Sequence, residues 1–172
     1  EGEACPGAGA CGGQFTANTM ALATTFLGLA PVGFNDIPAP DPAKHEAAHA
    51  CGLRVMELVR QGISARSFVT PESVRNATVA ANATAGSTNT VLHMLAIARE
   101  AGFHFALDEF DEISRRTPVI ADLKPGGRFM APDMHAAGGS RLLGQRLMEA
   151  GLITDQPTVS GKTLFEEFAR AQ

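Results

Sequence analysis

The stretch Glu3-Ala4-Cys5-Pro6-Gly7-Ala8-Gly9-Ala10-Cys11-Gly12-Gly13-Gln14-Phe15-Thr16-Ala17-Asn18-Thr19-Met20 decides how the rest of the chain is read. It sets two thiols and four glycines in a loop of small residues. It then runs into Ala21-Leu22-Ala23-Thr24-Thr25-Phe26-Leu27, whose apolar content predicts a buried helix. Glycine admits positive φ and lets another body come close to the backbone. A cysteine at the mouth of the following helix meets unpaired N–H groups and the positive dipole end, which favour thiolate over thiol. Such a thiolate is a nucleophile or a ligand for a soft metal, an iron–sulfur cluster included. Cys11 is the better placed of the two, against Gly12-Gly13 and the helix start. Spacing alone is a weak signal. Cys5 and Cys11 form no Cys-x-x-Cys pair, and a lone cysteine among Ala and Gly is more often a small buried hydrophobe.

Composition narrows the classes. With 172 residues and 45% hydrophobic content, the chain can build one ordinary domain core. A net charge of −4 with no basic stripe argues against nucleic acid. No apolar run approaches a bilayer span, so no transmembrane helix is expected. Residues 1–20 lack the basic and uninterrupted apolar regions of a signal peptide. Three cysteines is a low, odd count that fits a reducing compartment, and the expectation is a cytoplasmic protein. A start at Glu1 without Met is read as an excised fragment or processed product.

Gly28 to Pro40 is rich in breakers and reads as a connector. Asp41 then caps, Pro42 opens, and a helix runs to about Gly62 with Ala47, Ala48, Cys51, Val55, Leu58 and Val59 predicted as its buried stripe. His45 and His49 lie four apart on it, a metal-ligand spacing whose commoner meaning is a solvated helix face. Thr70-Pro71 starts a helix to about Ala83. Next, Ala85-Gly86-Ser87-Thr88-Asn89 opens an apolar helix closed by Gly102, with His93 predicted as a core histidine. Ser87 is either a simple N-cap or, with Thr88, Asn89 and the exposed N–H groups, part of a site for an anion such as a carboxylate. Leu107, Phe110 and Ile113 predict a short amphipathic helix with its acids outward. Pro118 to Leu123 is the best strand candidate, ended by Lys124-Pro125-Gly126-Gly127, although no phosphate-loop string follows. His135 beside Gly138-Gly139 stands without partners, and a helix with Leu142, Leu143, Leu147 and Met148 stops at Gly151. A last helix over 162–171 buries Leu164, Phe165 and Phe168. About seven helices and one or two short strands make a helix-rich α/β fold.

Four stretches together carry a family resemblance. The run Cys5 to Gly13 with Phe15-Thr16-Ala17-Asn18-Thr19-Met20 closely resembles the dihydroxy-acid and sugar-acid (phosphogluconate-type) dehydratases. Gly86-Ser87-Thr88-Asn89 with Val91-Leu92-His93, Ala121 to Gly127, and Thr158 to Leu164 follow in the same order. The resemblance implies that Cys11 ligates an iron–sulfur cluster, two-iron or four-iron, and that Cys5 does not. It implies a homodimer or tetramer, a small hydroxy-acid substrate, and a place in branched-chain amino-acid synthesis. It also implies a magnesium ion whose ligands lie outside this chain. An upstream Cys-Asp-Lys string and a downstream Thr-Asp-Gly-Arg-x-Ser-Gly string, with the catalytic serine, are absent here. The chain therefore reads as one partial domain of a larger N-terminal α/β domain: a cluster-ligand loop and helix at 1–28, a helical body at 41–116, and a strand with final helices at 117–172. The family reaction makes the C3 hydroxyl a leaving group by Lewis acid, removes the C2 proton and tautomerises the enol to a 2-keto acid. A sugar-acid dehydratase, and a non-catalytic interaction domain, are the other readings.

Overall fold

The structure, a computed structural model, describes residues 11–169. Those residues form eight α-helices: α1 (Thr16–Phe26), α2 (Ala43–Arg60), α3 (Pro71–Ala83), α4 (Asn89–Glu100), α5 (Leu107–Arg116), α6 (Ala131–Ala136), α7 (Gly139–Glu149) and α8 (Leu164–Phe168). The centre is α3. Its start is closed by a reciprocal box in which the Thr70 hydroxyl accepts from Ser73 N (3.0 Å) and Ser73 Oγ accepts from Thr70 N (2.9 Å), with Pro71 in the first turn. Beyond that turn it is apolar on nearly every side, and Val74, Ala77, Val79, Ala80 and Ala83 are fully buried. The alanines leave little between α3 and the helices against it, which are α1, α4, α5 and α7. Its buried Asn76 is satisfied at both ends by Thr154, donating to the carbonyl (2.8 Å) and accepting from the N–H (3.0 Å). The core is completed where the rings of Phe26 and Phe168 tilt together at 5.3 Å, with Gly144 of α7 leaving room for the Phe168 ring.

One terminus recurs. In α1, α2, α4 and α7 the N–H two residues past the C-cap returns to a carbonyl five residues back, and the intervening residue is a positive-φ glycine: Gly28, Gly62, Gly102 or Gly151. Helix α3 ends in the same bond pattern, with Gly86 N to Ala81 O at 2.9 Å and Ala85 N to Asn82 O at 3.1 Å. There the left-handed position is Ala85, at φ +50°. A Cβ in that conformation crowds the following carbonyl, so this turn carries strain that the other four avoid.

Several sequence expectations are corrected. Residues 118–123 form no strand; the N–H groups of Ile120 and Ala121 both donate to Ala83 O at the end of α3 (2.8 and 3.0 Å). Those donors are taken by a helix end, so no ladder forms. Two isolated bridges, Leu123 with Phe129 and Pro157 with Thr163, are the only β pairing among the described residues. The helix-rich part of the α/β expectation is met. On α2, only Ala47 and Leu58 of the expected stripe are buried, while Ala48, Cys51, Val55 and Val59 are exposed. His93 and Leu107 are also exposed. His45 and His49 lie on the solvated face of α2. No helix of the described residues is long and apolar enough to cross a membrane.

Candidate functional site

Cys11 is half-buried, in the loop that bends through residues 12–15 before α1 begins. The loop is held by the helix it precedes. Asn18, in the first turn of α1, donates both amide hydrogens backwards, to Cys11 O (2.9 Å) and Gly13 O (2.7 Å). Gln14 N donates to Lys124 O (2.6 Å), its side chain donates to Thr84 Oγ1 (3.0 Å), and Ala131 N donates to Gly12 O (2.8 Å). A Cβ on Gly13 would stand 2.8 Å from Lys124 O, so glycine there lets the 121–127 stretch lie against the cysteine loop.

The same first turn reaches the start of α4. Thr16 Oγ1 lies 3.1 Å from Ser87 Oγ and accepts from Asn89 Nδ2 at 2.8 Å. Thr19 Oγ1 accepts from Ser87 N at 3.0 Å, and Gly86 leaves space for the Thr19 side chain. Two helix N-termini thus meet edge to edge. Neither has a side-chain cap: α1 follows Phe15, which has no acceptor, and Thr88 before α4 makes no cap bond. Ser87 Oγ accepts from Asn89 N at 3.3 Å, the one part of its expected capping role that is realised. In α4 the first-turn N–H groups are taken within the turn, Thr90 N by Ser87 O (3.0 Å) and Val91 N by Thr88 O (3.1 Å), so positive potential comes from the first-turn N–H groups of α1 and the two dipole ends, without any charged side chain. The surroundings are hydroxyls and amides: Thr16, Asn18, Thr19, Ser87 and Asn89. Such a lining receives an anion by dipoles and hydrogen bonds. Next to it stands one thiol.

Three of the four family-like stretches therefore converge: the Cys11 loop, 86–89 and 121–127. The fourth does not. Thr158 to Leu164 packs at the other end of α1, where Val159 N donates to Gly28 O at 2.8 Å, roughly 16 Å away at helical rise for eleven residues. It is anchored on buried Glu167, whose carboxylate accepts from Val32 N (3.2 Å), Thr158 Oγ1 (3.0 Å) and Ser160 Oγ (2.5 Å). Ser87 is half-buried, Thr88 and Asn89 are exposed, and Cys5 lies outside the described residues. The bridging roles of Thr16, Asn18 and Thr19 escape a reading of the sequence. Their signal is there, in polar side chains at first-turn positions of an apolar helix, but the partners of Thr16 and Thr19 are about 70 residues away, and Asn18 bonds main-chain carbonyls that no side-chain pattern marks.

As a metal centre the donor set is one thiol. No group of three or more His, Cys, Asp or Glu among the described residues could hold an ion. Cys11, half-buried before α1, fits a cluster as a single ligand, and the described residues group no further His, Cys, Asp or Glu with it.

The comparisons with known proteins bear on what the rest would be. The family model described as dihydroxy-acid/6-phosphogluconate dehydratase N-terminal matches residues 1–167. A protein of Koribacter versatilis named dihydroxy-acid dehydratase is 51% identical across 100% of this chain, which covers 30% of that relative. One of the same name from Thermus thermophilus is 51% identical over 99% of the chain and 31% of its own length. A chloroplastic one from Arabidopsis thaliana is 45% identical over 93% of the chain and 26% of its own length. The chain thus spans about three-tenths of the length of the curated relatives it matches. On residues 1–167 and the similarity across its length, the chain belongs to the dihydroxy-acid/6-phosphogluconate dehydratase N-terminal family.

Proposed function

We propose that the chain acts as part of a longer dehydratase that converts a 2,3-dihydroxy carboxylic acid to a 2-keto acid, as in branched-chain amino-acid synthesis. In that reaction the C2 proton and C3 hydroxyl leave as water, and the enol tautomerises to the ketone. The observation that carries the reading is the identity of about half the residues, over essentially the whole chain, with proteins named dihydroxy-acid dehydratase. Those names favour it over a sugar-acid substrate. In the longer protein these helices belong to a larger α/β domain. The proposed setting is a reducing compartment, the cytoplasm, and the assembly a homodimer or tetramer.

When bound, an iron–sulfur cluster supplies Lewis acidity toward the leaving hydroxyl, and Cys11 is the residue of this chain that would hold it. Magnesium ligands and the base for the C2 proton come from outside residues 1–172. The chain's own part is placement. Asn18 fixes the Cys11 loop by two carbonyls. Ser87, Thr88 and Asn89, with the first-turn N–H groups of α1, bind and orient the substrate carboxylate. Thr16 couples the two by bonding to Ser87 and Asn89.

The test is keto-acid release by the protein at its native length, with branched 2,3-dihydroxy acids and aldonic acids in parallel. The reading predicts turnover of the branched acids, and a rise in KM of roughly tenfold for Ser87→Ala or Asn89→Ala, the loss of about 1.4 kcal/mol of binding. Turnover of aldonic acids alone would move the substrate to the sugar-acid class, and unchanged KM in both variants would remove the carboxylate role.

A further inference from the structure

Helix α2 is the least buried long element among the described residues. Over Ala43–Arg60 only Ala47 and Leu58 are buried, and Leu53 is 63%, Val55 54%, Met56 49% and Val59 65% exposed. Its hold on the body runs along the inner side. Lys44 Nζ donates to Phe34 O and Ile37 O (3.0 Å each), and Arg54 Nε donates to Val159 O. An apolar face this continuous marks an interface.

The face is divided. At helical spacing its outward ridge is His45, Ala48 or His49, Gly52, Met56, Val59, then Ile63 just past the end. The N-terminal half is small or polar and the C-terminal half is large and apolar. A Cβ placed on Gly52 meets nothing within 4 Å, so the ridge has an open hole one turn before the Met56 knob. A surface with hole and knob on opposite halves complements itself in one arrangement, antiparallel about a two-fold axis. With the axis near residue 54, Gly52 faces Met56 of the second copy, His49 faces Val59, and His45 faces Ile63. The charges agree. Glu46 and Arg60 share one flank of the ridge, neither forms an ion pair among the described residues, and the two-fold brings Glu46 of one copy to Arg60 of the other. A parallel pair would instead set small against small and leave Glu46 of one copy roughly 21 Å along the axis from Arg60 of the other.

Position separates this face from the candidate site. Arg54 binds the 157–161 loop, which packs at the C-terminal end of α1, whereas Cys11 lies at the N-terminal end.

We propose that α2 is a self-association helix, packed antiparallel on α2 of a second copy, with Met56 seated over Gly52 and Glu46 paired with Arg60. The proposal rests on the homo-oligomeric part of the reading above and not on its chemistry, so its readout is mass and not activity. Sedimentation velocity of the protein at its native length is the experiment, with helix content followed by circular dichroism. Gly52→Leu fills the hole on an open face and is expected to lower the oligomer to a smaller species, or weaken association roughly tenfold or more, with helix content unchanged. Glu46→Arg weakens association, and Glu46→Arg with Arg60→Glu restores it, because the pair is re-formed across the axis. A protein that is monomeric to begin with, an oligomer indifferent to Gly52→Leu, or a charge swap without restoration overturns the assignment. The face would then belong to another segment of the same polypeptide or to a different protein.

Discussion

At the scale of single residues, two positions decide how the candidate site is held. Asn18 spends both amide hydrogens on the carbonyls of Cys11 and Gly13. Asn18→Asp removes both donors and sets a carboxylate against two carbonyl oxygens. It is expected to cost about 2 kcal/mol in denaturant unfolding, and Asn18→Ala about 1 kcal/mol. Equal stability of the Asp variant and the parent would mean that the clamp is not formed. Ala85 is the second. It holds a left-handed conformation at φ +50° in a turn where four sibling helices use glycine. Ala85→Gly relieves that strain against a larger loss of chain entropy, for a net gain of a few tenths to about 1 kcal/mol. A fall in midpoint would contradict the strained assignment. A left-handed alanine thus has a mechanical meaning that shows only in the backbone.

At the scale of elements, helix α1 ties the fold together because different things happen at its two ends. The N-terminal end gathers the Cys11 loop, the α4 start and 121–127; the C-terminal end, through Gly28, receives the 157–161 loop. Glu167 on α8 secures that loop by accepting from a main-chain N–H and two hydroxyls. Glu167→Ala leaves these donors unpaired in a buried place and should cost about 3 kcal/mol, with Glu167→Gln costing less, read from chemical unfolding. An exposed-residue effect, below about 0.5 kcal/mol, would refute the anchoring role. Helix existence was legible from local chemistry. Thr70-Pro71 starts α3, and Gly62, Gly102 and Gly151 end α2, α4 and α7 as read. What periodicity could not supply is which apolar stripe meets its partner within this chain. Ala47 and Leu58 do, and Val55 and Val59 on the same helix do not. The strand over 118–123 failed for a related reason: an apolar run is a strand only if another strand answers its N–H groups, and here Ala83 O takes them.

At the scale of the whole molecule, the chain is a helical body with a prepared edge. Family-like residues far apart in sequence, Cys11, Ser87 and Lys124, are drawn to that edge by Thr16, Gln14 and Asn18. The candidate residues were legible as motifs. Their joining was not, since hydrogen bonds between positions 16 and 87 leave no periodic trace in the sequence. Among the described residues the edge offers one thiol and dipolar groups suited to an anion. The central claim is that Cys11 is a cluster ligand in the protein this chain belongs to. Iron and acid-labile sulfide per polypeptide, with the visible absorption spectrum, test it most directly on protein of native length purified without oxygen. The account predicts cluster absorption with stoichiometric iron and sulfide in the parent and in Cys5→Ser, and their loss in a folded Cys11→Ser. A full complement of iron and sulfide in Cys11→Ser, or equal loss in both variants, would contradict it.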